Sequence, residues 1–301
     1  MIRAEIEQKF QSLQKDIISS LELTDGIGKF RFDRWQRPEG GGGVSSILES
    51  GRILEKGGVN FSAVHGPLHP GAIKSLGVDA QEFYACGVSI VLHPNNPMVP
   101  IIHMNVRYFE TGNTYWFGGG IDLTPHYILD QDATYFHRQL KNACDTYSPN
   151  FYAEFKKWAD DYFFLPHRNE TRGIGGIFFD RLEAENTGLT KERLFEFVMA
   201  VGESFAPTYT YFMQKNFELP YSEKHKKWQA LRRGRYVEFN LVYDRGTKFG
   251  LETGGRTESI LMSLPATAAW VYDYKPETGS DEEYTLSMLR KGINWIEKLK
   301  F

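Results

Sequence analysis

"VPIIHMNVRYFETGNTYWFGGGIDLTP", residues 99–125, holds two runs rich in strand-forming residues, separated by Thr-Gly-Asn. Side chains alternate across a strand, so in the first run His103, Asn105 and Arg107 share one face. Ile102, Met104, Val106 and Tyr108 take the other. The glycine-containing turn at 111–113 predicts that "TYWFGGG" folds back as a hairpin partner. Upstream, "FYACGVSIVLH", residues 83–93, reads as a further strand joined through a Pro-Asn-Asn-Pro corner, with Ser89 and His93 on one face. Three strands joined by short connections predict an antiparallel sheet.

Working outward, Ile2, Ile6, Phe10, Leu13, Ile17 and Leu21 recur at helical spacing and predict an amphipathic N-terminal helix. Glycines 40–43 read as loop. Asp130 starts a predicted helix carrying Ala133, Phe136, Leu140 and Cys144; Ser148-Pro149 opens another that ends before Pro166. "GIGGIFFD" reads as a short strand and residues 190–205 as a helix. "RYVEFNLVYDRGTKFGLE", residues 235–252, reads as a hairpin around Asp244-Arg245-Gly246, and Ser280 with Glu283 forms a capping box for the last helix. No internal repeat, low-complexity tract or linker interrupts the chain. The expectation is one domain, residues 1–301, of the α/β class in its α+β form, on a mainly antiparallel sheet.

The bulk composition narrows the function. With 301 residues, 41% hydrophobic and 24% charged, the chain is ordinary globular material, and 15% aromatics offer flat surfaces for a core or a flat ligand. A net charge of −3 argues against a nucleic-acid partner. Two cysteines without CxxC spacing argue against a disulfide framework or a cysteine-rich metal site. Neither a signal-type block nor an apolar run of membrane-spanning length occurs, so a cytoplasmic protein with no membrane span is expected.

His-x-Asn-x-Arg on one strand face offers a titratable group, an amide and a fixed cationic fork, which suits a carboxylate-bearing ligand. Further arginines, Arg168, Arg172, Arg245 and Arg256, lie in glycine-bearing segments and suggest a pocket for a substrate with several carboxylates or phosphates. Set against this, an edge hairpin with a solvated face and arginines paired to acids would look similar. His93, His103, His137 and His167 are candidate metal ligands, although no HxH or HxxxH spacing groups them. No G-x-S-x-G elbow or dinucleotide fingerprint is present.

The long blocks are more specific. "FDRWQRPEGGGG", "GGVNFSAVHG", "GVSIVLHPNNP", "HMNVRYFE", "WFGGGIDLTP", "KKWADDYFFLPHRNETRGIGGIFFD" and "RRGRYVEFNLVYDRGTKFGLETGGRTESILMSLP" together resemble the oxygen-dependent coproporphyrinogen III oxidases, from about Lys29 to the last helix. "SLPAT" lacks a second proline common in that family. The resemblance implies a broad antiparallel sheet flanked by helices on both faces and a homodimer, with the segment from Tyr236 onward at the dimer contact. It implies oxidative decarboxylation of the ring A and B propionates of coproporphyrinogen III to vinyl groups, giving protoporphyrinogen IX. O2 is the acceptor, no organic cofactor is needed, and CO2 and peroxide are by-products. By matching position, His103 corresponds to the proton donor, while Ser89, Asn105, Val106, Arg107, Gly254, Gly255 and Arg256 correspond to substrate contacts. Asp122 corresponds to the acid facing the pyrrole N–H groups. His93, His103, His137 and His167 correspond to positions assigned a divalent metal, for example manganese, in some relatives.

The family match gives the glycine triplet a reading. Without Cβ atoms at Gly118 to Gly120, backbone can lie close to a macrocycle and turn sharply, placing Asp122 beneath the pyrroles. A bulge in which Asp122 satisfies its own turn is the structural alternative. A tetrapyrrole carrier, or a metal enzyme acting on a small carboxylated substrate, are the rival functions.

Overall fold

The structure, a computed structural model, describes residues 1–68, 81–252 and 254–298. Seven antiparallel strands form one sheet in the order β1 (Arg31–Gln36), β2 (Gly41–Glu49), β3 (Leu54–Pro67), β4 (Glu82–Pro94), β5 (Ile101–Thr111), β6 (Thr114–Thr124), β9 (Gly176–Leu182). A two-residue pair, β7 (Phe164–Leu165) and β8 (Glu170–Thr171), stands apart. The alternation read in residues 99–125 is realised: Met104, Val106 and Tyr108 are fully buried, while His103, Asn105 and Arg107 line the opposite face.

Four helices pack on the apolar face: α1 (Arg3–Asp25), α2 (Asp130–Asp145), α3 (Phe151–Tyr162) and α5 (Lys191–Asn216), the last following the short α4 (Ala184–Thr187). On α1, Ile6, Phe10, Leu13, Ile17 and Leu21 are buried as their spacing requires, each stabilising by about 1.5–3 kcal/mol relative to exposure. Buried Asp25 ends that helix and ties it to the β2–β3 connection, accepting from the backbone N–H groups of Gly28, Arg52, Ile53 and Leu54. Thr190 caps α5, which runs past the expected end, through Pro207, to Asn216. Cys86 and Cys144 are buried free thiols.

The polar face is covered in part by the C-terminal third: α6 (Glu223–Glu238), a π-helical turn (Phe239–Tyr243), α7 (Arg245–Glu252) and α8 (Thr257–Leu261); α9 (Asp281–Met288) instead bonds Tyr127 and Ile128 and puts Met288 in the main core. Ser280 caps α9 by accepting from Glu283 N, as its sequence signature indicates. Among the described residues no helix is long and apolar enough to cross a membrane.

Two expectations are corrected. Residues 236–252 are helical, not a hairpin. Leu231, Arg232, Arg235, Tyr236 and Phe239 recur at helical spacing and are buried, and Asp244 is a helix cap: its Oδ2 accepts from Thr247 N at 2.7 Å. The glycine run 40–43 is loop only at Gly40; Gly41 to Gly43 belong to β2. There the Trp35 ring lies on Gly43, in space a Cβ would fill.

Candidate active site

The floor of the site is the polar face of the sheet, and it is short of side chains. Register places Ser45, Asn60, Ser89, Asn105 and Gly120 opposite one another across five strands. The adjacent row is Gly43, Ser62, Gly87, Arg107 and Gly118. Four of these ten residues are glycines, and Trp35, Arg107 with Asp180, and Phe178 occupy the space a side chain would take on Gly43, Gly118 and Gly120.

Gly118 to Gly120 lie within strand β6, with a register shift against β9 between Phe117 and Gly119, and not in a sharp turn. Their missing side chains make room for neighbours. A Cβ on Gly118 would lie 2.5 Å from Asp180 Oδ1 and 2.8 Å from Arg107 Nε, in the space of an ion pair. Arg107 donates from Nη2 to Asp180 and from Nη1 to Asn105 Oδ1, each at 2.8 Å. A Cβ on Gly119 would instead meet the Phe179 ring on the core side.

Asp122 lies directly opposite His103 in the β5–β6 pair. It is 1% exposed and fully engaged. His103 Nδ1 is 2.8 Å from Oδ1, and Arg172 Nη2 donates to Oδ1 at 2.7 Å and Oδ2 at 2.8 Å. Burial pushes the carboxyl upward, but the Arg172 charge and the His103 bond outweigh it and hold Asp122 below the usual carboxylate range. An anionic Asp122 accepts Nδ1–H from His103 and leaves Nε2 free. The His103 side chain is 21% exposed, so the imidazole, not the carboxylate, reaches the open strip.

Arg172 is buried in an aromatic cage, its guanidinium carbon 4.4 Å from the Phe163 ring centre and 4.6 Å from those of Tyr236 and Phe239. Phe163 also meets the His103 ring edge-on, and Tyr162 stacks on Phe178 at 4.1 Å, forming a roof beside the floor. Across the floor, residues 256–264 cover the β1–β3 side. Ser259 bonds Ser45 and Asn60, Met262 fills the space over Gly58, and Arg256 pairs with Asp33. Gly254, with φ of +72°, and Gly255 make the turn into α8. Between roof and cover, Ser89, His103, Asn105, Arg107 and Asp180 remain partly exposed; Val106 points into the core.

Other expected residues have their own partners. Arg168 is bidentate on Glu238, which also accepts from His167, Arg235 and Trp270 and is pushed down to about 2, these donors outweighing burial. Arg245 is exposed, with its backbone N–H on Tyr162 Oη. The four histidines are not brought together. His93 is buried against Ser263 O and the Tyr236 ring; His137 lies in the main core between Tyr152 Oη and Ile174 O. Burial pushes both down to about 3. His167 sits between Tyr243 and Glu238, and His103 on Asp122. With each imidazole bonded to separate partners in different parts of the fold, these four do not form one ligand set in this structure.

Sequence reasoning missed Asp180, Tyr236, Phe239 and Asn240. Asp180 was within reach, since strand alternation from Gly176 puts it on the polar face.

The family model for coproporphyrinogen III oxidase matches residues 5–295. The soybean (Glycine max) oxygen-dependent coproporphyrinogen-III oxidase, chloroplastic, is 48% identical over 98% of this chain and 80% of its own length. The oxygen-dependent enzyme of Prochlorococcus marinus is 47% identical over 98% of this chain and 91% of its own. The mouse mitochondrial enzyme is 48% identical over 98% and 69%.

Proposed function

The chain belongs to the coproporphyrinogen III oxidase family, and from that premise we propose how its residues carry the reaction. The reaction is oxygen-dependent oxidative decarboxylation of the ring A and B propionates of coproporphyrinogen III, giving protoporphyrinogen IX in heme and porphyrin biosynthesis. For each arm, –CH2–CH2–COO⁻ with O2 and one proton gives –CH=CH2, CO2 and H2O2. Two electrons pass to oxygen, and a proton must be delivered to it.

The observation that carries the reading is the His103–Asp122–Arg172 contact at the edge of a bare sheet floor. Asp122 fixes the tautomer and orientation of His103, and Nε2 exchanges protons with the pyrrole N–H groups and the reduced oxygen. Asp122 acts on the macrocycle through the imidazole, because the protein's own N–H donors occupy its oxygens. Arg107 beside Asp180, Arg245 over the Tyr162 ring and Arg256 beside Asp33 hold propionates, each charge-assisted bond contributing about 1.5–3 kcal/mol. Arg168 and Arg172 anchor the site's walls. Ser89 and Asn105 offer polar contacts from the floor, and Gly254 and Gly255 shape its border.

No organic cofactor takes part in this scheme, and the four histidines act separately. Leu241, Val242, Phe249, Leu251, Trp270, Val271 and Tyr272 are exposed apolar side chains of the C-terminal third, and a second copy of the chain covers them, giving a homodimer. Two free buried thiols suit a reducing compartment such as the cytoplasm, a placement that cell fractionation tests.

The test is turnover of reduced coproporphyrinogen III under air by chelator-treated protein, followed by separation of vinyl products. Product without added metal or cofactor supports the scheme; product only after a divalent metal is restored overturns the cofactor-free part. Tight binding with no product in either case overturns the catalytic roles.

A further inference from the structure

One buried contact of this site belongs to no residue the reaction itself requires. Arg172 presents five N–H donors in a rigid plane. Nη2 and Nε face Asp122, while Nη1 donates to Asn240 Oδ1 at 2.8 Å. Asn240 is buried and lies on the π-helical turn Phe239–Tyr243, which continues α6 before Asp244 closes it. Such turns add a residue to the helical repeat and redirect the side chains after it. Here Phe239 and Asn240 face the Arg172 cage, while Leu241 and Val242 face outward, 45% and 52% exposed.

The chemistry of the amide matters. A carboxylate at this place would bond the same N–H but would also compete with Asp122 for the guanidinium. An apolar side chain would leave Nη1 without an acceptor in a cage of rings. A neutral oxygen holds the plane of Arg172 and leaves its charge directed at Asp122. The three rings pack against the guanidinium, and Asn240 fixes rotation within its plane.

We propose that Asn240 is a positioning residue for the decarboxylation: from the π-helical turn it orients Arg172, which orients Asp122 and through it His103. This rests on the reading that the His103 end of the floor is the reactive one.

Three variants test it, Asn240→Leu, Asn240→Asp and Asp122→Asn, each checked by circular dichroism and thermal unfolding before assay. The substitution by Asp keeps an acceptor for Nη1 but adds a buried carboxyl, so melting shifts under either reading and turnover of the folded protein decides: an asparagine that only satisfies Nη1 predicts normal kcat. A positioning role predicts kcat at least about tenfold lower, with KM within about twofold. Asn240→Leu lowers kcat as well and also melts earlier. Wild-type kcat in Asn240→Asp overturns the inference, as does a change confined to KM. If Asp122→Asn is fully active, the underlying reading of the site fails instead, and the two failures are distinguished.

Discussion

His103 and Asp122 face each other across the β5–β6 pair, with Nδ1 2.8 Å from Oδ1. Among the described residues no partner bonds the imidazole's other nitrogen, and turnover should depend on it. His103→Gln is expected to fold normally, bind substrate with KM within a few-fold, and lose about 100-fold or more in kcat. Steady-state kinetics with product separation measures this; retention of a tenth of wild-type turnover would falsify the proton-exchange role.

Asp122 has a second duty, the neutralisation of buried Arg172. Asp122→Ala is therefore expected to destabilise by about 3–5 kcal/mol, because it leaves an uncompensated charge in an aromatic cage. Urea unfolding measures the loss, and an Asp122→Ala protein as stable as wild type would contradict the buried pair.

Gly118 and Gly119 are neighbours with opposite consequences. Gly118→Val intrudes on Arg107 and Asp180 on the polar face and is expected to raise KM about tenfold, the loss of one charge-assisted contact. Gly119→Val meets the Phe179 ring and is expected to cost about 1–3 kcal/mol of stability. Kinetics and melting of the pair separate the two; equal effects on both would argue against distinct faces.

Asp25 controls acid stability. Burial pushes its carboxyl up, but four backbone N–H bonds outweigh that and hold it below the usual range. A depressed folded value means the stabilisation is present above the unfolded value, near pH 4, and is lost as pH falls through the folded one. Asp25→Ala should cost about 3 kcal/mol or more at pH 7, and the gap from wild type should narrow as pH drops below about 4. Urea midpoints across pH give the answer, and a gap independent of pH would refute it.

The exposed apolar face of the C-terminal segment should hold the dimer. Leu241→Asp with Val242→Asp is expected to yield a monomer by light scattering coupled to gel filtration, and the wild type is expected to give a dimer. A wild-type monomer would remove the proposal.

The central hairpin was legible because one face of a sheet writes its burial into the sequence with period two, as His103, Asn105 and Arg107 alternate with Met104, Val106 and Tyr108. The stretch 236–252 was misread because Tyr236, Val237, Phe239, Leu241 and Val242 have strand-like composition. Packing of Tyr236 and Phe239 about Arg172 favours a helix there. Coproporphyrinogen-oxidase-type motifs singled out the strands of His103 and Asp122, yet not the partners of that acid: Arg172 is 50 positions from Asp122, and no local spacing joins them. The histidines show the same limit, since each imidazole's surroundings come from distant elements, such as Ser263 for His93.

The sheet face with few side chains has a consequence for regiochemistry. On the proposed reading, a disc resting over Gly87 and Ser89 meets the neighbouring Asn105 and Arg107 as polar posts on the floor. Which arm arrives at the imidazole is then dictated by those posts and by the guanidinium groups around the perimeter. A pivot in place, without release, is the shortest path by which a single reactive station could serve two arms in succession.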